Sequence, residues 1–291
     1  MANLFFMTVV ALTASQTLTI GDVELVADGF LFTEGPVWVN ASGTLLFSDI
    51  PADTIYAMDK TLFRKPSGQS NGLTLDHEGR LIACEHKNRR VSRTEKNGNI
   101  TVLAEKYQGK RLNSPNDLTL RSDGIIFFTD PPYGLTKGLQ SPEAELTFSG
   151  VYRIGTDGSI TLLIDDFIKP NGIALSPDEK ILYIADTEGK HLRAFDVDTT
   201  GDISNSRIFC ELDSPDGIKV DVEGNIWSTA SDGMHVYNPK GELIQMIVCP
   251  QQPANCAFGD KDGHTLYVTA RTSLYKIRTT VEGILPKPPQ K

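Results

Sequence analysis

Asn171 to Thr187 reads NGIALSPDEKILYIADT: a polar residue and a glycine, a short apolar segment, a polar turn, then a second apolar segment ending on an acidic residue. Two short runs rich in Ile, Leu and Tyr, divided by Ser, Pro and Asp, are the signature of a β-hairpin. The same pattern stands five more times, as EGPVWVNASGTLLFSDI from Glu34, NGLTLDHEGRLIACEH from Asn71, NDLTLRSDGIIFFTDPP from Asn116, DGIKVDVEGNIWSTASD from Asp216 and NCAFGDKDGHTLYVTAR from Asn255. Consecutive copies lie about 37 to 55 residues apart, a range that belongs to propeller blades and other repeat arrays. Third strands follow in TIYAMD, VSRTE, GVYRI, HLRAFDV, MHVYNP and SLYKI, and fourth strands in NITVLAE, SITLLID, SRIFCEL and ELIQMIV. Six repeats of four strands predict an all-β chain, a six-bladed β-propeller with four-stranded antiparallel blades. A leucine-rich solenoid has shorter repeats and single strands.

The repeats run from residue 34 to 277 and leave no room for a second domain, so residues 21–291 are expected to form one propeller. All-β folds often reach this length as a single unit. Residues 1–20 carry an apolar run, LFFMTVVALTA from Leu4 to Ala14, too short to span a bilayer. It reads either as a signal peptide, although no basic residue precedes Lys60, or as a strand that closes the ring on the last blade. The first reading is preferred and points to export. Two insertions interrupt the repeat, EKYQGKRLNSP before Asn116 and PPYGLTKGLQSPEAELTFS from Pro131; both read as long loops of the kind that carry binding residues.

Net charge is −9, and no basic cluster is interleaved with aromatics, which excludes a nucleic-acid partner and mildly favours cation capture. The four cysteines predict no disulfide framework, Cys249 and Cys256 being the pair that export would allow to join. The five histidines are scattered, so a His-rich metal site or a Ser-His-Asp triad has almost no support.

Superimposing the repeats brings six leading residues to equivalent places: Glu34, Asn71, Asn116, Asn171, Asp216 and Asn255. In a radial array they form a ring at the entrance of the innermost strands. Two carboxylates and four amides make an all-oxygen set suited to one divalent cation: Ca²⁺, Mg²⁺ or Mn²⁺, with Zn²⁺ admitted if water completes the site. Taken singly, Asn or Asp before Gly is an ordinary turn residue. Glu34-Gly-Pro fits that explanation poorly, because Glu is a weak turn former. A second recurring position, Asp49, Glu85, Asp130 and Asp186, reads as structural, accepting hydrogen bonds between blades. Tyr133, in the second insertion, is a candidate for the substrate mouth, and Trp38 and Trp227 sit in strand patterns as core residues.

The chain resembles the regucalcin–gluconolactonase–luciferin-regenerating-enzyme family of six-bladed propellers. The resemblance is carried by EGPVW (34–38), SPNDL (114–118), TDPPYG (129–134), PNGIALSPD (170–178), SPDGIKVD (214–221) and LYVTARTSLYKI (266–277), the bacterial gluconolactonase-like branch being nearest. It implies a divalent metal on Glu34, Asn171 and Asp216, with Ca²⁺ the leading candidate, and a substrate contact at Asn116. Asn71 and Asn255 match no family ligand and are left as candidates for substrate contact or for support of the site. One departure stands out: the animal branch has a substrate-gripping arginine where this chain has Ser114, and Lys110 and Arg111 are the nearby replacements.

The reaction implied is hydrolysis of a small sugar lactone such as gluconolactone, with the metal polarising the carbonyl and activating water and Asp216 both ligating it and taking the proton. Two alternatives stay open at this point. The same site can serve non-sugar lactones or phosphotriesters, and the propeller can be a calcium-binding or interaction module without turnover. No membrane span is expected, and the oligomeric state is undetermined.

Overall fold

The computed structural model describes residues 17–286. Six four-stranded antiparallel sheets are arranged in a ring as the blades of a β-propeller. Their innermost strands are Thr33–Val39, Ser70–Leu75, Leu118–Leu120, Pro170–Leu175, Ile218–Val220 and Pro253–Gly259. Each is followed by a hairpin to the second strand, and the third and fourth strands lie progressively outward. The outermost strand of the first blade, Leu62–Arg64, is one that the repeat pattern does not reveal.

The sixth blade draws its outermost strand from the other end of the chain. Thr19–Asp28 pairs antiparallel with Ser273–Thr279, Thr19 opposite Thr279 and Asp28 opposite Ser273. Ring closure therefore falls to Thr19–Asp28, two residues ahead of the expected domain start. Leu4–Ala14, read as a signal peptide or closing strand, lie outside the described residues. Joining first and last strands in one sheet leaves the ring no seam to peel open.

The core lies between the blades. Each interface is filled by apolar side chains from facing sheets, among them Leu192, Ile218 and Ile226 between blades four and five. Trp227 is fully buried, its Nε1 donating to Asp221 Oδ2 at 2.9 Å, and Trp38 stacks on Tyr267 with ring centroids 5.8 Å apart. The four cysteines are free thiols. No described helix is long and apolar enough to cross a membrane.

The glycines after the ring residues answer to packing more than to turns. A Cβ on Gly172 would lie 2.3 Å from the carbonyl oxygen of Asp216, and Gly172 N donates to that same oxygen at 3.0 Å. At Gly35, which also has a φ of 51°, a Cβ would lie 1.9 Å from Asn71 O. Neighbouring inner strands thus converge so closely at the axis that a side chain is shut out. Two blades depart from the rule, with Asp117 and Cys256 in the glycine's place.

The acidic residues at the end of the second strands hold the blade-to-blade loops. Asp49 accepts from Leu31 N and Phe32 N, and Asp186 from Ile168 N, Lys169 N and Gly189 N, at 2.9–3.1 Å. Glu85 is fully buried and ion-paired with Arg64 and Arg90. The two insertions sit on the same face as the ring residues. The first contains a small hairpin, Lys106–Tyr107 with Lys110–Arg111, where a plain loop is expected. The second is irregular apart from a 3-10 turn, Gly138–Gln140, and is anchored by the buried Leu135 and Leu146.

Candidate active site at the mouth of the central channel

The six ring residues enter the channel side by side on one face. Glu34, Asn71, Asn116, Asn171 and Asn255 are buried, and Asp216 is half-buried. Three of the four amides and a neighbouring threonine are chained by hydrogen bonds. Asn71 Nδ2 donates to Asn116 Oδ1, Asn116 Nδ2 to Asn171 Oδ1, and Asn171 Nδ2 to Thr187 Oγ1 at 3.0 Å. Thr187 in turn donates to Pro215 O at 2.8 Å, the residue before Asp216. The chain of amides fixes the direction in which each oxygen points.

The two carboxylates, from the first and fifth blades, repel each other through their charges. Glu34 Oε2 accepts from Gly35 N at 2.9 Å. Burial, with the negative charge of Asp117 added to it, raises the Glu34 carboxyl to about 7 despite help from Gly35 N and the Asn255 amide. Asp216 is raised well above the usual carboxylate range, first by burial and then by the charges of Glu34 and Asp117; the Asn171 amide and Arg271 act the other way. Its Oδ1 is buried without a hydrogen-bond partner, as is Asn71 Oδ1. A bare pair of this kind cannot hold two full negative charges at neutral pH.

The donor set fits a hard divalent cation. Glu34 and Asp216 would supply charge, Asp216 Oδ1 an uncommitted lone pair, and Asn171 Oδ1 the lone pair left beside the bond it accepts from Asn116. Among the described residues no group of three or more His, Cys, Asp and Glu side chains is disposed to bind a metal, so such a site rests on the amide oxygens as well as the carboxylates.

Three features escape a reading of the sequence alone. Asp117, in the place of a glycine, is buried below the ring. Its Oδ1 accepts from Leu118 N at 2.9 Å, and its Oδ2 faces Asn255 Nδ2 at 3.4 Å and Lys219 Nζ at 3.9 Å. It reaches across the axis from the third blade to the sixth, beneath the site. Asn255 thereby serves two carboxylates, Glu34 and Asp117.

The second feature is His86. Set aside among scattered histidines, it is buried with Nε2 3.1 Å from Asn116 Oδ1 and 3.5 Å from Asn71 Nδ2. Burial lowers it to about 4, so it is neutral at pH 7. His86 and Thr187 each follow the recurring acidic residue of the second strand, and both touch ring amides. Aligning that position across the repeats was the signal that could have found them.

The third is Ser114. Fully buried, its Oγ donates to Pro131 O at 2.6 Å and accepts from Gly134 N at 2.8 Å. It ties down the second insertion and does not face a substrate. Arg111 is also engaged, through its backbone N with Glu145 Oε2 at 2.7 Å and through Nη2 with Asn88 O at 3.3 Å. Lys110 lies beside it, exposed in the hairpin. Tyr133, on the loop that Ser114 anchors, brings its hydroxyl to 3.4 Å from Asn171 Nδ2, and the Lys169 ammonium lies 5.3 Å from its ring centre.

Comparison with known proteins agrees with this architecture. Residues 32–272 match the family model described as SMP-30/Gluconolactonase/LRE-like region. A gluconolactonase of Zymomonas mobilis is 33% identical over 90% of this chain and 82% of its own, and the regucalcin of Bos taurus is 30% identical over 88% and 87%. Among solved structures, a gluconolactonase from Xanthomonas campestris superimposes with a TM-score of 0.81 at 34% identity, covering 88% of this chain and 89% of that one. Channel, ring and sequence therefore agree, and the chain belongs to the SMP-30/gluconolactonase/LRE-like family.

Proposed function

We propose that this protein is a divalent-metal-dependent lactonase that opens a small sugar lactone at the mouth of the channel. The observation that carries the reading is the convergence of Glu34 and Asp216, two mutually repelling carboxylates, beside Asn171, with Asp216 Oδ1 left without a partner. The likeness to gluconolactonases of Zymomonas mobilis and Xanthomonas campestris supports the substrate class. When bound by Glu34, Asn171 and Asp216, the cation would polarise the lactone carbonyl and make water a better nucleophile.

The chain's own residues account for the rest. Asp216 accepts the proton of the attacking water and returns it to the ring oxygen as the acyl–oxygen bond breaks. Asn116, its amide held by His86, Asn71 and Asn171, orients the substrate without changing charge, because His86 is neutral. Tyr133, with its hydroxyl 3.4 Å from Asn171 Nδ2, lines the mouth on the same side. The amide chain is built before the substrate arrives, so little reorganisation is needed during the reaction.

The direct test is hydrolysis of glucono-1,5-lactone by chelator-treated protein, with Ca²⁺, Mg²⁺, Mn²⁺ or Zn²⁺ added back and Asp216→Ala assayed beside it. Turnover should return with at least one ion and fall by about 10³-fold or more in the variant. Turnover indifferent to chelation would overturn the metal requirement, and full activity in Asp216→Ala would remove Asp216 from the mechanism.

A further inference from the structure

Above the ring of amides and carboxylates lies a second tier, formed by the residue after each second strand: Ile50, His86, Pro131, Thr187, Ser231 and Arg271. His86 and Thr187 show where this tier points, since each touches a ring amide, at 3.1 Å and 3.0 Å. In the sixth blade the position belongs to Arg271, an exposed cation on the same face. Its turn is stapled to the segment that leads into Glu34. Arg271 O accepts from Thr33 N at 2.7 Å and from Thr33 Oγ1 at 3.3 Å, and Thr272 O accepts from Phe30 N at 3.2 Å.

The side chain is held in place without being neutralised. The guanidinium lies 5.6 Å from the centre of the Phe32 ring and donates to Gln252 Oε1. Among the described residues it forms no ion pair, whereas Lys169, at the Tyr133 side of the mouth, is paired with Glu188 at 2.8 Å. A planar cation fixed by an aromatic face and an amide, with donors to spare, is suited to grip oxygen atoms of a ligand.

We propose that Arg271 is the specificity-determining residue of this site, donating to the hydroxyl groups of a polyhydroxylated lactone. It supplies from the sixth blade the grip that Ser114, buried under the inserted loop, does not. The inference rests on the lactonase reading and names the substrate feature that site selects. The grip of Arg271 on hydroxyl groups away from the reacting carbonyl is binding common to ground and transition states and appears in KM, whereas its charge also acts on Asp216, an effect on kcat that every lactone shares.

The experiment compares wild type, Arg271→Gln and Arg271→Lys on glucono-1,5-lactone and on δ-valerolactone, which has the ring ester and no hydroxyls. The melting temperature of each variant checks the fold, and competition by the product gluconate gives a binding readout apart from turnover. The expected result for Arg271→Gln is a KM for gluconolactone raised about tenfold or more, gluconate competition weakened similarly and the KM for δ-valerolactone unmoved, with any change in kcat through Asp216 common to both lactones. Arg271→Lys should recover part of the loss. Unchanged KM and gluconate competition, or an equal rise in KM on both lactones, would overturn the role of Arg271 while leaving the lactonase intact. Wild type that hydrolyses neither lactone would overturn the lactonase reading, and this inference with it.

Discussion

Glu34 and Asp216 show how a site can be held at a cost in stability. Both carboxyls are raised, by burial first and by neighbouring negative charge next, Glu34 to about 7. A carboxyl raised in the fold binds protons better there than in the unfolded chain. Its contribution to stability is present in acid and lost as pH rises through the folded-state value. Cation-free protein should therefore gain stability from this pair as pH falls from 8 to 6, the reverse of the cation's own binding, which competes with those protons and should weaken over that interval. Glu34→Gln or Asp216→Asn should raise the melting temperature of chelated protein at pH 8 by a few degrees, from about 1–3 kcal/mol of relieved repulsion, while abolishing hydrolysis. Thermal unfolding of chelated wild type and both variants at pH 6 and 8 checks this; a fall in melting temperature at pH 8 would mean that the pair does not repel as described. Among residues, Glu34, Asn171 and Asp216 were legible as candidates because the repeat superimposes them. His86 was legible only as the residue after the recurring Glu85; its link to Asn116 crosses from the second blade to the third, and no local pattern tells of that contact.

At the scale of elements, each hairpin was readable from its own residues, whereas the closing strand was not. Thr19–Asp28 has no glycine-bearing turn to its partner and pairs with Ser273–Thr279 some 250 residues away along the chain. Its contribution is nevertheless large, since it turns an open array into a ring and covers the backbone edge of Ser273–Thr279. Removing residues 1–28 should expose that edge, lower the melting temperature by about 10 °C or more, and promote association. Thermal scans and size-exclusion chromatography of the shortened chain measure both effects; an unchanged monodisperse propeller would show that closure is dispensable. The insertions belong to this scale too. Their Gly and Pro content announced loops, but only the anchoring by Ser114, Leu135 and Leu146 places Tyr133 at the channel.

For the molecule as a whole, a cation bound at the ring would make stability and ligand binding one property. A cation held by Glu34, Asn171 and Asp216 would touch the first, fourth and fifth blades at once, and so would favour the closed ring over any state in which blades part. At a free cation concentration about 100 times its Kd the gain is about 2.7 kcal/mol, a rise of several degrees in melting temperature for a chain of this size. A calcium titration followed by scanning calorimetry should show a logarithmic rise in wild type and none in Asp216→Ala; a flat response at every ion tested would count against a cation that bridges blades.

The amino-acid sequence by itself determined the blade count, the order of the three inner strands of each blade and the candidate ring, because all three are written in local periodicity that recurs six times. The tertiary structure alone decided which residues meet at the axis. Asp117 reaches across to Asn255 and Lys219, His86 reaches Asn116, and Arg271 stands over the segment leading into Glu34. Those contacts join residues from different blades, and the distance between them is set by how tightly the inner strands converge. That convergence is a property of the packed ring, governed by inter-blade side-chain volume and by the glycines that let the strands touch, and no single repeat contains it.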